Sequence, residues 1–304
     1  MKPKIIVAGS SNTDMVVKVP HIPAPGETIL GNHFMTIPGG KGANQAVAAA
    51  RAGAEVTFIA CVADDAFGKQ SVKNYAKEGI DTSRIKVKTG IHSGIALINV
   101  ADNGENSISV APGANSDLLP EDICNSEDIF TDAKIVLTQL EIPMETVMTV
   151  AKVAHSKKIP FILNPAPGTV IPGKLLEMVS VITPNETEAA IITGRDKFND
   201  KDIPAMAKEL FNKGAQTVIL TLGSKGVYLK SEAFEGILPG YTMKAVDTTA
   251  AGDVFNGALA SALAGQMPLK EAVDFAQRAA AISVTRMGAQ PSAPFIKEIR
   301  EYVF

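Results

Sequence analysis

The chain has 304 residues, which allows one large domain or two ordinary ones. Hydrophobic residues make up 46% and charged residues 20%, a balance that excludes a disordered or fibrous protein. Lys and Arg number 29 against 32 Asp and Glu, a net charge of −3 without the basic footprint of a nucleic-acid binder.

The predicted elements alternate strand and helix. Ile5–Gly9 reads as a short buried strand, and its apolar run is too short for a signal peptide. An Ala-rich helix follows over Ala43–Ala52, with Gly53 where a left-handed cap is expected. Next come a strand at Val56–Val62 and a helix at Phe67–Glu78 closed by Gly79. The pattern continues with strand Lys134–Leu140, helix Met144–Ser156, strand Phe161–Asn164, strand Val179–Thr183 and helix Glu186–Thr193 closed by Gly194. Helix Ile203–Lys213, closed by Gly214, precedes strand Thr217–Leu222 and a hairpin at Gly223–Gly226. Helices at Asp253–Ala264, Leu269–Arg286 and Phe295–Tyr302 complete the chain. The expectation is an α/β fold: a mostly parallel central sheet with helices on both faces.

Two stretches, 12–37 and 91–111, lack a helical period. The second holds strand-like Gly94–Val100 and Asn106–Val110 around Asp102-Asn103-Gly104-Glu105, a hairpin signal. Together they predict a small β-sheet standing off the core, which can be a lid over a site, an oligomer contact, both, or a plain hairpin. The α/β core then comprises 1–11, 38–90 and 112–304.

Several chemistries are excluded. The chain has no G-x-x-x-x-G-K-[ST] loop, no G-x-G-x-x-G after the first strand, no H-E-x-x-H and no G-x-S-x-G. The missing glycine fingerprint argues against a nicotinamide dehydrogenase. The histidines His21, His33, His92 and His155 are scattered. Cys61 and Cys124 suggest no disulfide framework, so a cytosolic location is the default. The longest uncharged run, Val254–Leu269, falls short of a membrane span.

Three clusters point to a polar ligand. Gly39-Gly40-Lys41-Gly42-Ala43-Asn44-Gln45 lets backbone approach a ligand at a helix start. Asn12 and Asp14 lie beyond the first strand, at the edge where open α/β sheets bind ligands, and suit sugar hydroxyls. The strongest is Asp247–Gly257. Its Ala250-Ala251-Gly252 run bares successive N–H groups before Asp253, a nest of amides beside a carboxylate suited to phosphoryl transfer. An ordinary Asp is ionised at neutral pH and needs no tuning. Thr183–Glu188 and Thr221–Gly226 also follow strands.

These segments, with Thr285–Ser292, make the chain resemble the ribokinase-like carbohydrate kinase family from about residue 4 to residue 300. The resemblance implies transfer of the γ-phosphoryl group of ATP to the 5-hydroxyl of D-ribose. It implies Asp253 as the base, with Ala250, Ala251 and Gly252 forming an anion hole. Asn12, Asp14, Gly40, Lys41, Gly42, Asn44 and Glu141 would hold the sugar. Asn185, Thr221, Gly223, Ser224, Gly226 and Gln277 would face the nucleotide. Glu188 matches an acidic residue associated with Mg²⁺ through water. Asp247, Thr249, Ser283, Arg286, Gly288 and Ser292 match a K⁺ loop, mostly through carbonyls. Pairing of lids into a homodimer is implied as well. The chain departs from the family pattern at Ala63, where Gly is usual, while Thr13 and Thr249 fill variable positions. A sister kinase acting on deoxyribose, fructose or a nucleoside stays open. The intact Asp253 and Asn185-x-x-Glu188 argue against a silent binding protein.

Overall fold

The computed structural model describes residues 2–304. In chain order the elements begin with β1 (Lys4–Ala8), β2 (Asn12–Val19), β3 (His33–Gly39), α1 (Lys41–Arg51), β4 (Glu55–Ala63), α2 (Ala66–Lys77), β5 (Ile85–Lys88), β6 (Gly94–Ala101) and β7 (Asn106–Ala111). The middle of the chain forms α3 (Pro120–Cys124), β8 (Ile135–Thr138), α4 (Met144–Ser156), β9 (Phe161–Leu163), α5 (Gly173–Leu176), β10 (Val181–Ile182), α6 (Glu186–Ile192) and α7 (Ile203–Asn212). The last part forms β11 (Thr217–Thr221), β12 (Val227–Lys230), β13 (Glu235–Leu238), α8 (Ala251–Ala264), α9 (Leu269–Ser283) and α10 (Ile296–Glu301).

Nine strands form one sheet in the order β13-β12-β11-β10-β9-β8-β1-β4-β5. It is parallel from β5 to β11 and ends in the antiparallel strands β12 and β13. Successive residues of a strand face opposite ways, so β1 feeds two cores. Ile6 and Ala8 pack with Val147 of α4 and Met206 of α7. Ile5 and Val7 pack with Ala46 of α1, Leu259 of α8 and Ala272 of α9. This is the layered α/β architecture expected from the alternation of elements.

The second sheet has four strands, β3-β2-β6-β7, drawn from the two non-helical stretches. β2 pairs in parallel with β6 and antiparallel with β3, and β7 closes the other edge. The β6–β7 turn places Gly104 at φ +87°, and the Ala101 N–H donates to the Glu105 carbonyl. Asn115 ties the lid to the core. Its Oδ1 accepts from the Ser11 N–H at 2.8 Å, and its Nδ2 donates to Asn12 Oδ1 at 2.7 Å.

Differences from the sequence reading lie at edges and ends. β5 and β13 were not expected: both are four-residue edge strands with charged residues and no continuous apolar run. Charge on an edge strand blunts unwanted pairing. Lys86 and Lys88 of β5 are paired with Asp122 and Asp117. Helix α8 starts at Ala251, before the expected Asp253, and α9 stops at Ser283, short of Arg286. The Val181–Ile182 strand is shorter than the predicted Val179–Thr183. Gly53, Gly79, Gly194 and Gly214 all have the positive φ expected of helix-closing residues.

Candidate active site

The carboxyl ends of the parallel strands β1, β8, β9, β10 and β11 share one edge of the large sheet, and the second sheet begins there, with β2 starting at Asn12 just past the end of β1 at Ala8. The first turn of α1 belongs to the site. Gly40 has φ +89°, and a Cβ there would come 2.6 Å from the Asn12 nitrogen, so only glycine fits. No side chain of its own caps α1. Glu141, from the loop after β8, takes that role: its Oε2 accepts from the Lys41 N–H at 3.0 Å and from Ser10 Oγ at 2.5 Å. Ser10 Oγ in turn accepts from the Gly42 N–H at 3.2 Å. A carboxylate here also complements the positive end of the helix dipole.

Helix α8 supplies Asp253. Helices α1 and α8 approach closely because Gly257 has no side chain; a Cβ there would lie 2.5 Å from the Gln45 carbonyl oxygen. Asn44 Nδ2 therefore reaches Asp253 Oδ2 at 2.9 Å, and Gln45 Nε2 reaches Asp253 Oδ1 at 2.9 Å. Asn44 Oδ1 is buried and has no partner. Such an acceptor calls for a donor from a bound molecule.

Asp253 is only 6% exposed. Burial drives its pKa up, opposed by Lys41 and by the amides of Asn44 and Gln45. Hydrogen bonds to a charged group contribute about 1.5–3 kcal/mol each, whereas stripping water from an ion costs several. Burial prevails, which corrects the expectation of an untuned Asp. The desolvation comes from tertiary packing, which is invisible in the sequence. The neighbouring Asp14 carboxyl is pushed up to about 6 by burial, then by Glu141 and Asp253, with Lys41 opposing. Burial works against the Lys41 charge, yet Asp253, Glu141, Glu188 and Asp14 hold its ammonium above the usual lysine value.

At the start of α8, Ala250 occupies the left-handed region at φ +60°, and no side chain caps the helix. For a non-glycine residue that conformation costs of order 1 kcal/mol and tends to persist at functional sites. Gly252 is exposed, and a Cβ built on it would meet nothing within 4 Å, so the first turn of α8 is uncovered at this residue. The Ala251 N–H already bonds the Thr248 carbonyl at 3.3 Å, which corrects the expectation of three bare N–H groups; the rest of the uncapped helix start and the adjoining Asp253 carboxylate are placed for anion stabilisation and proton acceptance.

Beside it lies a cavity of about 450 Å³, lined by Thr221, Gly223, Ser224, Gly226, Ala251, Gly252 and Gln277. Gln277 Nε2 donates to the Pro239 carbonyl at 3.3 Å, while its Oε1 is buried without a partner. Gly240, Tyr241, Met243, Phe255 and Val284 add apolar walls. The sequence reading missed Tyr241 and Met243, whose segment carries no motif. Asn185 is not among the lining residues. Its Oδ1 accepts from the Glu188 N–H at 2.8 Å and Glu188 Oε2 accepts from the Asn185 N–H at 2.9 Å, a reciprocal cap of α6. Burial raises the Glu188 pKa, with the Asn185 N–H and Lys41 opposing.

The Asp247 loop folds on itself. Asp247 Oδ1 accepts from the Thr249 N–H at 2.9 Å and Oδ2 from the Gly288 N–H at 2.8 Å. These bonds outweigh partial burial and hold its pKa below the ordinary value. Arg286 turns away to pair with Glu298 at 2.6 Å, leaving Asp247 without a cationic side chain among the described residues. The Ser283 and Ser292 hydroxyls bond the carbonyls of Ala280 and Ala289. Among the described residues no three His, Cys, Asp or Glu side chains converge on one point.

The model of the pfkB carbohydrate kinase family matches residues 2–296. The chain is 43% identical to ribokinase of Haemophilus influenzae, covering 100% of this chain and 99% of that one. It is 35% identical to deoxyribokinase of Salmonella typhi, covering 98% of each. Arabidopsis thaliana ribokinase, solved in complex with ribose and ATP, superposes with a TM-score of 0.92 at 32% identity, covering 100% of each chain. A site that joins an unpartnered Asn44 oxygen, a buried carboxylate, a helix start without a side-chain cap and a cavity of about 450 Å³ agrees with these similarities, and the chain belongs to the pfkB family of carbohydrate kinases.

Proposed function

We propose that the protein transfers the γ-phosphoryl group of ATP to the 5-hydroxyl of D-ribose, giving ribose 5-phosphate and ADP. The observation that carries this reading is the placement of Asp253. It stands between Asn44 and Lys41, which we assign to the sugar hydroxyls, and the exposed start of α8 at Gly252, which also lines the cavity. Asn12, Asp14, Gly40, Lys41, Gly42, Asn44 and Glu141 hold the sugar. Asn12 Oδ1 is occupied by Asn115, so its NH₂ group is the one free to donate, while the free Asn44 Oδ1 accepts. Asp253 accepts the proton of the attacking hydroxyl as its oxygen bonds to the γ-phosphorus. The bond from that phosphorus to the β,γ-bridging oxygen breaks, and ADP leaves. The N–H groups at Ala250 and Gly252 stabilise the charge on the transferring group.

On the nucleotide side Thr221, Gly223, Ser224 and Gly226 pack the ribose and phosphates, and the free Gln277 Oε1 meets a base amino group. Asn185 acts from outside the cavity by orienting Glu188. Glu188 would hold Mg²⁺ through water, and the ion would offset phosphate charge there, because a nearby cation relieves the penalty of its buried charge. Asp247, ionised and without a cationic partner, suits K⁺ alongside carbonyls of Thr249, Ser283, Arg286, Gly288 and Ser292. When bound, the two ions offset phosphate charge and fix the field at the anion hole.

Segments 12–37 and 91–111 act as the lid and as the contact of a homodimer. Phe34 and Leu97 are more than half exposed on one face of this small sheet, and Ile108 and Val110 on the other, apolar surface that a second copy would cover. The protein works in the cytosol: both cysteines are unpaired, and no described helix is long and apolar enough to cross a membrane.

A second reading, 2-deoxyribose as the preferred acceptor, is favoured by the similarity to deoxyribokinase. Relative kcat/KM over ribose, 2-deoxyribose and fructose, with ATP, Mg²⁺ and K⁺, separates the two. Ribose should lead the panel; a higher value for another sugar would displace it.

A further inference from the structure

Asp253 is held by two adjacent residues of α1, and they stand in different positions. Asn44 keeps a free oxygen toward the ligand side. Gln45 is 0% exposed and spends its whole amide on protein partners. Its Nε2 donates to Asp253 Oδ1 and to Asn164 Oδ1, both at 2.9 Å, and its Oε1 accepts from Gln139 Nε2 at 2.6 Å. Gln45 thus touches the carboxylate without facing the substrate.

We propose that Gln45 is the positioning residue of Asp253, oriented by Gln139 and Asn164; this rests on Asp253 being the base. The polarity of the chain is fixed at each link. A carboxylate only accepts hydrogen bonds, so Gln45 must present its NH₂ group to it. Gln139 locks that orientation by donating to the other end of the amide. Asn164 presents its oxygen because its own Nδ2 donates to the Thr183 carbonyl at 3.3 Å. The network continues through Thr183 Oγ1 to Asn256 Oδ1 at 2.6 Å, and Asn256 Nδ2 donates to the Gly252 carbonyl at 2.8 Å. One set of buried polar groups therefore reaches both the carboxylate and the peptide at the anion hole. Room for it is specified by Gly9, where a Cβ would lie 2.1 Å from Gln139 Oε1.

Two consequences follow from removing the Gln45 donor. The Asp253 carboxylate loses one of two fixed bonds and can rotate away from the attacking hydroxyl, so turnover falls while the sugar contacts of Asn12, Asn44 and Lys41 persist. Its charged form also loses support, so its protonation moves to higher pH. The other charges facing Asp253 are Lys41 from α1, Glu141 from the loop after β8, Asp14 from β2 and Glu188 from α6. None is altered by the substitution.

The experiment measures kcat and sugar KM against pH for wild type, Gln45→Met, Gln139→Met and Asp253→Asn, with thermal unfolding as a check on folding. Gln45→Met keeps the side-chain length and removes the amide. It should lower kcat about tenfold or more at neutral pH, change sugar KM less than about twofold, and move the acid limb of kcat to higher pH. Gln139→Met, which leaves Gln45 Oε1 unpartnered and its amide held at the NH₂ end alone, should shift kcat and the limb the same way by less. If Gln45→Met does not fold, Gln139→Met decides by the same criteria. An unchanged pH profile in the folded variants, with Asp253→Asn inactive, overturns the role of Gln45 alone. An active Asp253→Asn overturns the assignment of the base on which it rests.

Discussion

At the residue scale, Gly252 and Asp14 carry the sharpest consequences. A Cβ on Gly252 meets no protein atom, so Gly252→Ala should fold as well as wild type or slightly better, since alanine favours a helix by up to about 1 kcal/mol. Its methyl group enters the space of the transferring phosphoryl group. Turnover should therefore drop about tenfold or more while the thermal midpoint holds or rises. Asp14 behaves differently because burial raises its pKa to about 6 from 3.8. A carboxyl with a raised folded pKa binds its proton more tightly in the native state. It contributes no penalty below pH 3.8, and its penalty is complete only above about pH 6. Sugar binding follows the same titration in the opposite sense if the carboxylate is the hydroxyl acceptor. Sugar KM should rise as pH falls through 6, and that limb should vanish in Asp14→Asn, as initial rates across pH 5–8 would reveal.

At the scale of elements, the site depends on how α1 meets α8. Gly257 lets the Asn44 and Gln45 side chains span the gap to Asp253. A Cβ there would press on backbone atoms, 2.5 Å from the Gln45 oxygen and 2.7 Å from the Ala49 nitrogen. Gly257→Ala should cost about 1–3 kcal/mol in a urea titration and reduce kcat as well, because separating the helices stretches both bonds to the carboxylate. Much of this was legible in the sequence. Alternating apolar runs and helix-closing glycines marked the layers, and Gly-Asp at a helix start marked the carboxylate that the structure buries there. The contributions of Gln45, Gln139, Asn164 and Asn115 were not. They are isolated amides on separate elements, up to 119 residues apart, and only folding brings them together. Glu141 illustrates a different limit, because its cap on α1 from 100 residues away leaves no local signature. Edge strands β5 and β13 were illegible because nothing buried on both faces forced an apolar run.

At the scale of the whole molecule, the lid is the element without a partner. Every residue of β7 is exposed, and β3 and β7 leave two open edges on a four-stranded sheet with apolar side chains. A free sheet of this kind invites association. If a second copy covers it, Leu97→Asp, on the face shared with Phe34, or Ile108→Asp, on the opposite face shared with Val110, should shift the protein toward monomer in sedimentation velocity, according to which face is covered. The sugar KM should rise in step, because Asp14 and Asn12 stand on strand β2 of that sheet. A wild-type protein that sediments as a monomer would contradict this.

In the proposed reaction the buried Asp253 carboxylate stands where sugar, phosphate and nucleotide meet, and the catalytic account turns on it. The decisive measurement is the kcat for D-ribose phosphorylation by Asp253→Asn beside wild type, with ATP, Mg²⁺ and K⁺ saturating. The account predicts a fall of about two to four orders of magnitude with sugar KM nearly unchanged. Turnover within a few-fold of wild type would contradict it.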